Sequence, residues 1–220
     1  MTRSESSPTI SSLEKIPRRK EYLLVLSDGT ELRVTEEDVS RFSLAQGSEL
    51  GRDLVSDLAR AYEYSRAKAS VLRLLKVRPR TEGELRSGLL RKGLDPAASA
   101  RVVEELKRSG AVDDRLFARL WTMEKLSKGA SGRRRILAEL RAKQIDAATA
   151  AEELDRVYTR EDETEIARQV ASRRLAKLGH LPADVKRHRI YEHLLRRGFD
   201  SDIAAQAVHY ALRSSDVKGA

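Results

Sequence analysis

Two clusters of cations occupy places where a helix disfavours them. Arg133, Arg134 and Arg135 in Gly132-Arg-Arg-Arg-Ile-Leu-Ala-Glu-Leu, and Arg187, His188 and Arg189 in Lys186-Arg-His-Arg-Ile-Tyr-Glu-His-Leu, open segments of helical spacing. The N-terminal end of a helix is the positive end of its dipole, so each exposed cation there costs on the order of 0.3 to 1 kcal/mol. An anion would offset that cost, because free N–H groups and neighbouring guanidiniums form bidentate donors for phosphate or carboxylate. The loop Lys128-Gly-Ala-Ser-Gly132 would let backbone amides approach such a ligand. A further set lies at the far ends of corresponding segments: Arg91 and Lys92, Arg141 and Lys143, Arg196 and Arg197. The dipole favours cations there, so these residues need no partner, but they extend a basic stripe. Together the residues form a candidate surface for a negatively charged partner or nucleic acid.

Other chemistry is poorly supported. The chain has no cysteine, and no Gly-x-x-x-x-Gly-Lys, Gly-x-Ser-x-Gly or His-Glu-x-x-His pattern. His188 and His193 are five apart on an expected helix and diverge, while His180 and His209 lack a ligand-spaced partner. Asp113-Asp114 and Asp200-Ser-Asp202 could hold Mg²⁺ in a nuclease, but acidic pairs just before helices read better as caps. Glu161-Asp-Glu-Thr-Glu165 reads as a solvated helix start, and Trp121 with Phe117 and Leu120 as core packing in preference to a base-stacking platform. The expectation is a non-enzyme with no cofactor and no metal.

Composition sets the frame for these residues. The 220 residues carry Lys+Arg 43 and Asp+Glu 34, a net charge of +9, with 40% hydrophobic and 5% aromatic residues. The charge is uneven: residues 1–65 sum to −3 and residues 66–220 to +12. Such a local excess marks a negatively charged partner. The absence of cysteine fits a reducing, cytoplasmic setting. No stretch approaches the roughly 20 apolar residues that a membrane helix needs. Residues 1–20 read as a disordered leader of Ser, Thr, Pro and charge.

The elements that must position the cations follow from spacing. Tyr22–Leu26 and Glu31–Val34 flank Asp28-Gly29, which favours a tight hairpin turn. Thr35 before Glu36, Glu37 and Asp38 opens a short helix, and a long helix is expected from Arg52 to Val77, stopped by Pro79. Beyond it the pattern repeats. Leu89, Leu140 and Leu194 are equivalent at spacings of 51 and 54 residues, with apolar Leu85, Ile136 and Ile190 before them and Val103, Leu154 and Val208 after. Asp95, Asp146 and Asp200 stand at matching N-cap positions. The fold class is therefore mainly α: an elongated tandem array of three three-helix repeats after a small hairpin and helix segment. The expected divisions are leader 1–20, hairpin and helix 21–65, repeats at 66–112, 113–160 and 161–213, and a tail at 214–220.

Three stretches carry a family resemblance: Arg78-Pro-Arg-Thr-Glu-Gly-Glu-Leu-Arg-Ser-Gly-Leu-Leu-Arg-Lys-Gly93, Gly110-Ala-Val-Asp-Asp-Arg-Leu-Phe-Ala118 and Gly132-Arg-Arg-Arg-Ile-Leu-Ala-Glu-Leu-Arg-Ala-Lys143. The chain resembles the RecX family of regulators of the RecA recombinase over roughly 66–212, with 21–50 similar to the smaller N-terminal part many members carry. It departs at Ala111, where the family usually has an aromatic, and at Gln144, where a glycine usually ends the second helix. The resemblance implies a non-enzymatic inhibitor lodged in the groove of the RecA filament on single-stranded DNA. There it restrains ATP hydrolysis, strand exchange and the coprotease activity of the SOS response. Its implied partners are RecA, the RecA filament and DNA, single-stranded first and double-stranded second, with the chain acting as a monomer away from membranes. The competing reading is a helix-turn-helix transcriptional regulator, since Thr81–Val112 has the length of that motif.

Overall fold

Helix follows wherever apolar residues recur at three and four positions, and two of the three strands flank the Asp28-Gly29 turn. The structure, a computed structural model, describes residues 7–128 and 131–218. Three strands, β1 (Ile10–Lys15), β2 (Glu21–Leu26) and β3 (Glu31–Thr35), form an antiparallel sheet in that order. They precede α1 (Glu36–Arg41), α2 (Arg52–Val77), α3 (Glu82–Arg91), α4 (Pro96–Arg108) and α5 (Asp114–Lys128). The chain continues through α6 (Arg133–Ala142), α7 (Ala147–Val157), α8 (Arg160–Ala176), α9 (Ala183–Arg196) and α10 (Ser201–Lys218). It divides into two units, one of residues up to Arg78 with Leu85–Ser109, the other of Pro79–Glu84 with Gly110 onward.

In the first unit the sheet buries Ile10, Leu24, Leu26 and Val34 against Leu44, Leu50 and Leu58. The expected hairpin is β2–β3, with Gly29 at φ +86° in its turn, and Thr35 with Asp38 forms a reciprocal capping box at the start of α1. The leader is where the expectation fails. Ile10–Lys15 is a strand whose Ile10 pairs with Leu26 and Leu13 with Leu24, and residues 1–6 lie outside the described part. At the other end α10 continues through the expected tail to Lys218, since no Gly or Pro interrupts Ser214–Lys218.

The repeat shows in the core. Leu85, Ile136 and Ile190, Leu89, Leu140 and Leu194, and Val103 and Leu154 are fully buried, and Val208 nearly so. Asp95 Oδ2 accepts the Ala98 N–H at 2.7 Å and Asp146 Oδ1 the Thr149 N–H at 2.8 Å, so both act as N-caps. Within the second unit Ile166 touches both the α5–α7 core around Ile136 and Tyr158 and the α8–α10 core around Ile190 and Phe199.

One junction device recurs in the second unit. The start of α6 sits on the end of α9: the Gly132 N–H donates to Arg197 O at 2.9 Å and the Arg134 N–H to Gly198 O at 3.1 Å. A Cβ on Gly132 would lie 2.2 Å from the Gly198 carbonyl carbon, so only glycine permits this approach. Thr81, Gly83 and the C-terminal end of α6 form the counterpart. The Thr81 hydroxyl donates to Lys143 O at 2.5 Å, and a Cβ on Gly83 would lie 2.3 Å from the Gln144 Cβ. Gln144 itself has φ +63°, the left-handed turn that Gly93 and Gly198 make at the equivalent positions.

Candidate nucleic-acid interface

The junction decides the fate of the arginine cluster. At the first turn of α6 the Arg133 N–H donates to Glu163 Oε1 at 2.8 Å, and with Gly132 and Arg134 bonded to α9 carbonyls the expected anion-binding amides are already used. The Arg133 guanidinium, 23% exposed, donates to Tyr158 O at 2.7 Å and pairs with Asp155. Arg133 is therefore a strut between helices, and the dipole argument misread it because its acceptors come from α7 and its end. The loop before it includes Gly129 and Ala130, which lie outside the described residues. Glu163, expected to be solvated, is fully buried, and burial pushes its carboxyl above the ordinary range. Its neighbour Asp162 forms a capping box with Thr159, which lowers the Asp162 carboxyl through the Thr159 hydrogen bonds.

Lys143 is also committed. Its ammonium lies 4.2 Å from the Trp121 ring centroid, 5.6 Å from that of Phe117 and 3.6 Å from Glu84 Oε1. Trp121 stacks on Phe117, donates to Glu139 at 3.3 Å and has Lys125 over it, so it is packed as expected and offers no open platform. Asp113 and Asp114 are caps: Asp113 Oδ1 accepts the Leu116 N–H at 2.9 Å and Asp114 Oδ1 the Glu82 N–H at 2.8 Å. Among the described residues no group of three or more His, Asp or Glu side chains could hold a metal ion.

The remaining cations converge differently. A hollow of about 540 Å³ opens between α5, α6, α8 and α9. Lys125 and Lys128 line it from α5, Arg135 from α6, Arg173, Arg174 and Lys177 from the end of α8, and His193 and Arg197 from α9 and its cap. No carboxylate lines it. Lys125 and Arg135 share Glu139 at 2.7 and 3.2 Å, and Lys128 pairs with Glu124. Arg173, Arg174 and Lys177 form no ion pair among the described residues, and Arg174 Nε is buried without a hydrogen-bond partner. Burial, then the charges of Arg197, Arg174, Arg196 and Lys177, hold the His193 imidazole below its ordinary range.

Of the residues expected from sequence, Arg135 and Arg197 line this hollow. Arg134 is 69% exposed, 4.0 Å from Asp200, and Arg196 pairs with Glu192 at 3.3 Å on α9. Arg141 and Arg189 are exposed on their helices, while Arg187 and His188 line a separate groove between α9 and α10. Arg91 and Lys92 belong to the first unit, where the Lys92 ammonium donates to the Ser70 hydroxyl at 2.9 Å. Sequence reasoning missed Arg173, Arg174 and Lys177. Their signal was the run from Ile166 to Ala183, which contains no acid to neutralise its cations.

Small sheet, tandem three-helix repeats and an acid-free basic hollow define a repeat protein whose units share one core pattern. Family models confirm that class repeat by repeat: the first three-helix domain of RecX matches 67–106, the second 113–154 and the third 161–208. The chain belongs to the RecX family. It is 37% identical to regulatory protein RecX of Amycolatopsis mediterranei over 153 residues, 68% of this chain and 85% of that one. It is 32% identical to regulatory protein RecX of Thermobifida fusca, over 70% of this chain and 83% of the relative. A crystal structure of regulatory protein RecX shares the fold at 23% identity with a TM-score of 0.67, covering 89% of this chain and 96% of that one. So does RecX from Lactobacillus salivarius, at 21% identity with a TM-score of 0.64, over 69% and 97%.

Proposed function

We propose that this chain is a non-catalytic regulator that binds the RecA filament on single-stranded DNA and restrains its ATP hydrolysis, strand exchange and coprotease activity. The relatives are regulatory proteins by name, and the observation that carries the reading is the hollow of the second unit. Arg173, Arg174 and Lys177 there meet no carboxylate of their own, and burial, then the surrounding positive charges, hold the proton affinity of the imidazole among them below its ordinary range. Phosphate oxygens would satisfy these donors and release the counterions they hold, giving binding that weakens with salt. Arg135 and Arg197 contribute from within the hollow, with Arg134, Arg141, Arg189 and Arg196 as exposed flanking charge. Linked repeats that each add a modest contact raise the overall affinity for a periodic target.

The test is RecA ATPase on single-stranded DNA with wild type and with Arg173→Glu/Arg174→Glu, folding being checked by circular dichroism. Wild type inhibits, and the variant loses most of that inhibition. Equal inhibition by both removes the hollow from the mechanism, and no inhibition by wild type removes the RecA reading itself. Saturable preference for one duplex sequence without RecA would favour a transcriptional regulator instead.

A further inference from the structure

The three repeats handle one cation differently, and the third leaves an aromatic ring in the open. Ala67, Ala118 and Ala167 are equivalent buried positions on the first helices, and each is followed by a cation: Lys68, Arg119 and Arg168. In the first repeat Lys68 pairs with Glu105 of α4 at 2.8 Å, and in the second Arg119 pairs with Glu153 of α7 at 2.9 Å. In the third, among the described residues no carboxylate of α10 pairs with Arg168, whose guanidinium lies 3.8 Å from Glu165 on its own helix. Tyr210 stands where Glu105 and Arg156 stand in the other repeats, and the Arg168 guanidinium lies 4.9 Å from its ring centroid. The repeat therefore does not need an aromatic here. The core of this unit takes Ile203, Ala204, Ala207, Val208 and Ala211 from the other face of α10, leaving Tyr210 48% exposed.

The small side chains of Ser172 and Ala205 open a groove of about 970 Å³ beside this ring. Arg168, Gln206, His209 and Arg213 line it with Tyr210, and no carboxylate does. On α8 the groove uses residues 168 and 172, whereas the basic hollow uses 170, 173, 174 and 177, so the two lie on different faces of that helix. An exposed ring beside a guanidinium, with an amide for a base edge and cations for phosphate, is the chemistry that recognises an unpaired base. Paired bases present no such face.

We propose that the α8–α10 groove is a second nucleic-acid site that takes unpaired bases of a single strand, with Tyr210 as the stacking surface. It is independent of RecA and of the phosphate-binding hollow.

Fluorescence anisotropy of the full chain with two labelled probes of equal length, oligothymidine and an abasic oligomer with the same phosphates, tests it. Wild type binds oligothymidine about tenfold more tightly than the abasic probe. Tyr210→Ala removes that preference by weakening oligothymidine alone, and Tyr210→Phe, which keeps the ring, retains it. Arg173→Glu/Arg174→Glu, by contrast, weakens both probes and leaves their ratio intact, so failure of the hollow and failure of the groove give different results. Equal binding of both probes by wild type overturns the proposal, as does a ratio that Tyr210→Ala leaves unchanged.

Discussion

Each unit of the chain has a basic hollow, and the two are built on different terms. The first unit's, about 560 Å³, is lined by Arg19, Lys20, Arg66, Arg73 and Lys92, but also by Glu21. Arg19 lies 3.6 Å from Glu21 and Arg66 pairs with Glu63 at 2.8 Å, while the Lys92 ammonium donates to the neutral Ser70 hydroxyl, so carboxylates answer part of its charge. The second unit's hollow has no acid in its lining and spans the junction of two repeats. The acid in the first lining weakens its outward field, whereas the second, with more cations and no acid in its walls, keeps a stronger pull on anions.

The comparison breaks most directly by charge reversal. Arg173→Glu/Arg174→Glu should weaken binding of single-stranded DNA on the order of a hundredfold near physiological salt, read by anisotropy, with a smaller salt slope than wild type. Next comes the junction that the second hollow depends on. Gly132→Ala drives a Cβ into the Gly198 backbone and should cost about 2 kcal/mol of stability in a denaturant titration. Arg66→Glu/Arg73→Glu in the first unit should weaken DNA binding no more than about tenfold. A loss matching that of the second-unit pair would show that internal pairing does not rank the hollows.

The smallest effect concerns pH. His193 has its proton affinity lowered by burial and surrounding cations, so a bound phosphate raises it and binding takes up a proton. Affinity should rise roughly threefold as pH falls through the ordinary imidazole range towards the lowered value, then level off. His193→Gln should abolish this rise. For folding the sign is opposite, because the unfolded chain takes up that proton first, so acidification through the same window costs stability.

Most of the helical frame was legible, because burial imposes a period and a repeat shows it three times over, as at Leu89, Leu140 and Leu194. Strand β1 was hidden because Ile10-Ser-Ser-Leu-Glu-Lys15 has little β-pattern of its own and is held by its ladder to β2. The site was only partly legible. Arg135 and Arg197 were in the expected set, but Arg133 and Lys143 looked available only because sequence spacing does not reveal the Tyr158 carbonyl or the Trp121 ring beside them. Gln144 taking a glycine's backbone turn has a visible match in Gly83, whose missing side chain leaves it room.

The seating of α6 on the carbonyls of Arg197 and Gly198 has a bearing on biosynthesis. A nascent chain that has emerged only as far as Tyr158 contains every helix of its middle repeat, yet the first turn of α6 still lacks its acceptors. That repeat is completed only once Gly198 has left the ribosome, and a frameshift between Tyr158 and residue 198 would therefore damage two repeats at once.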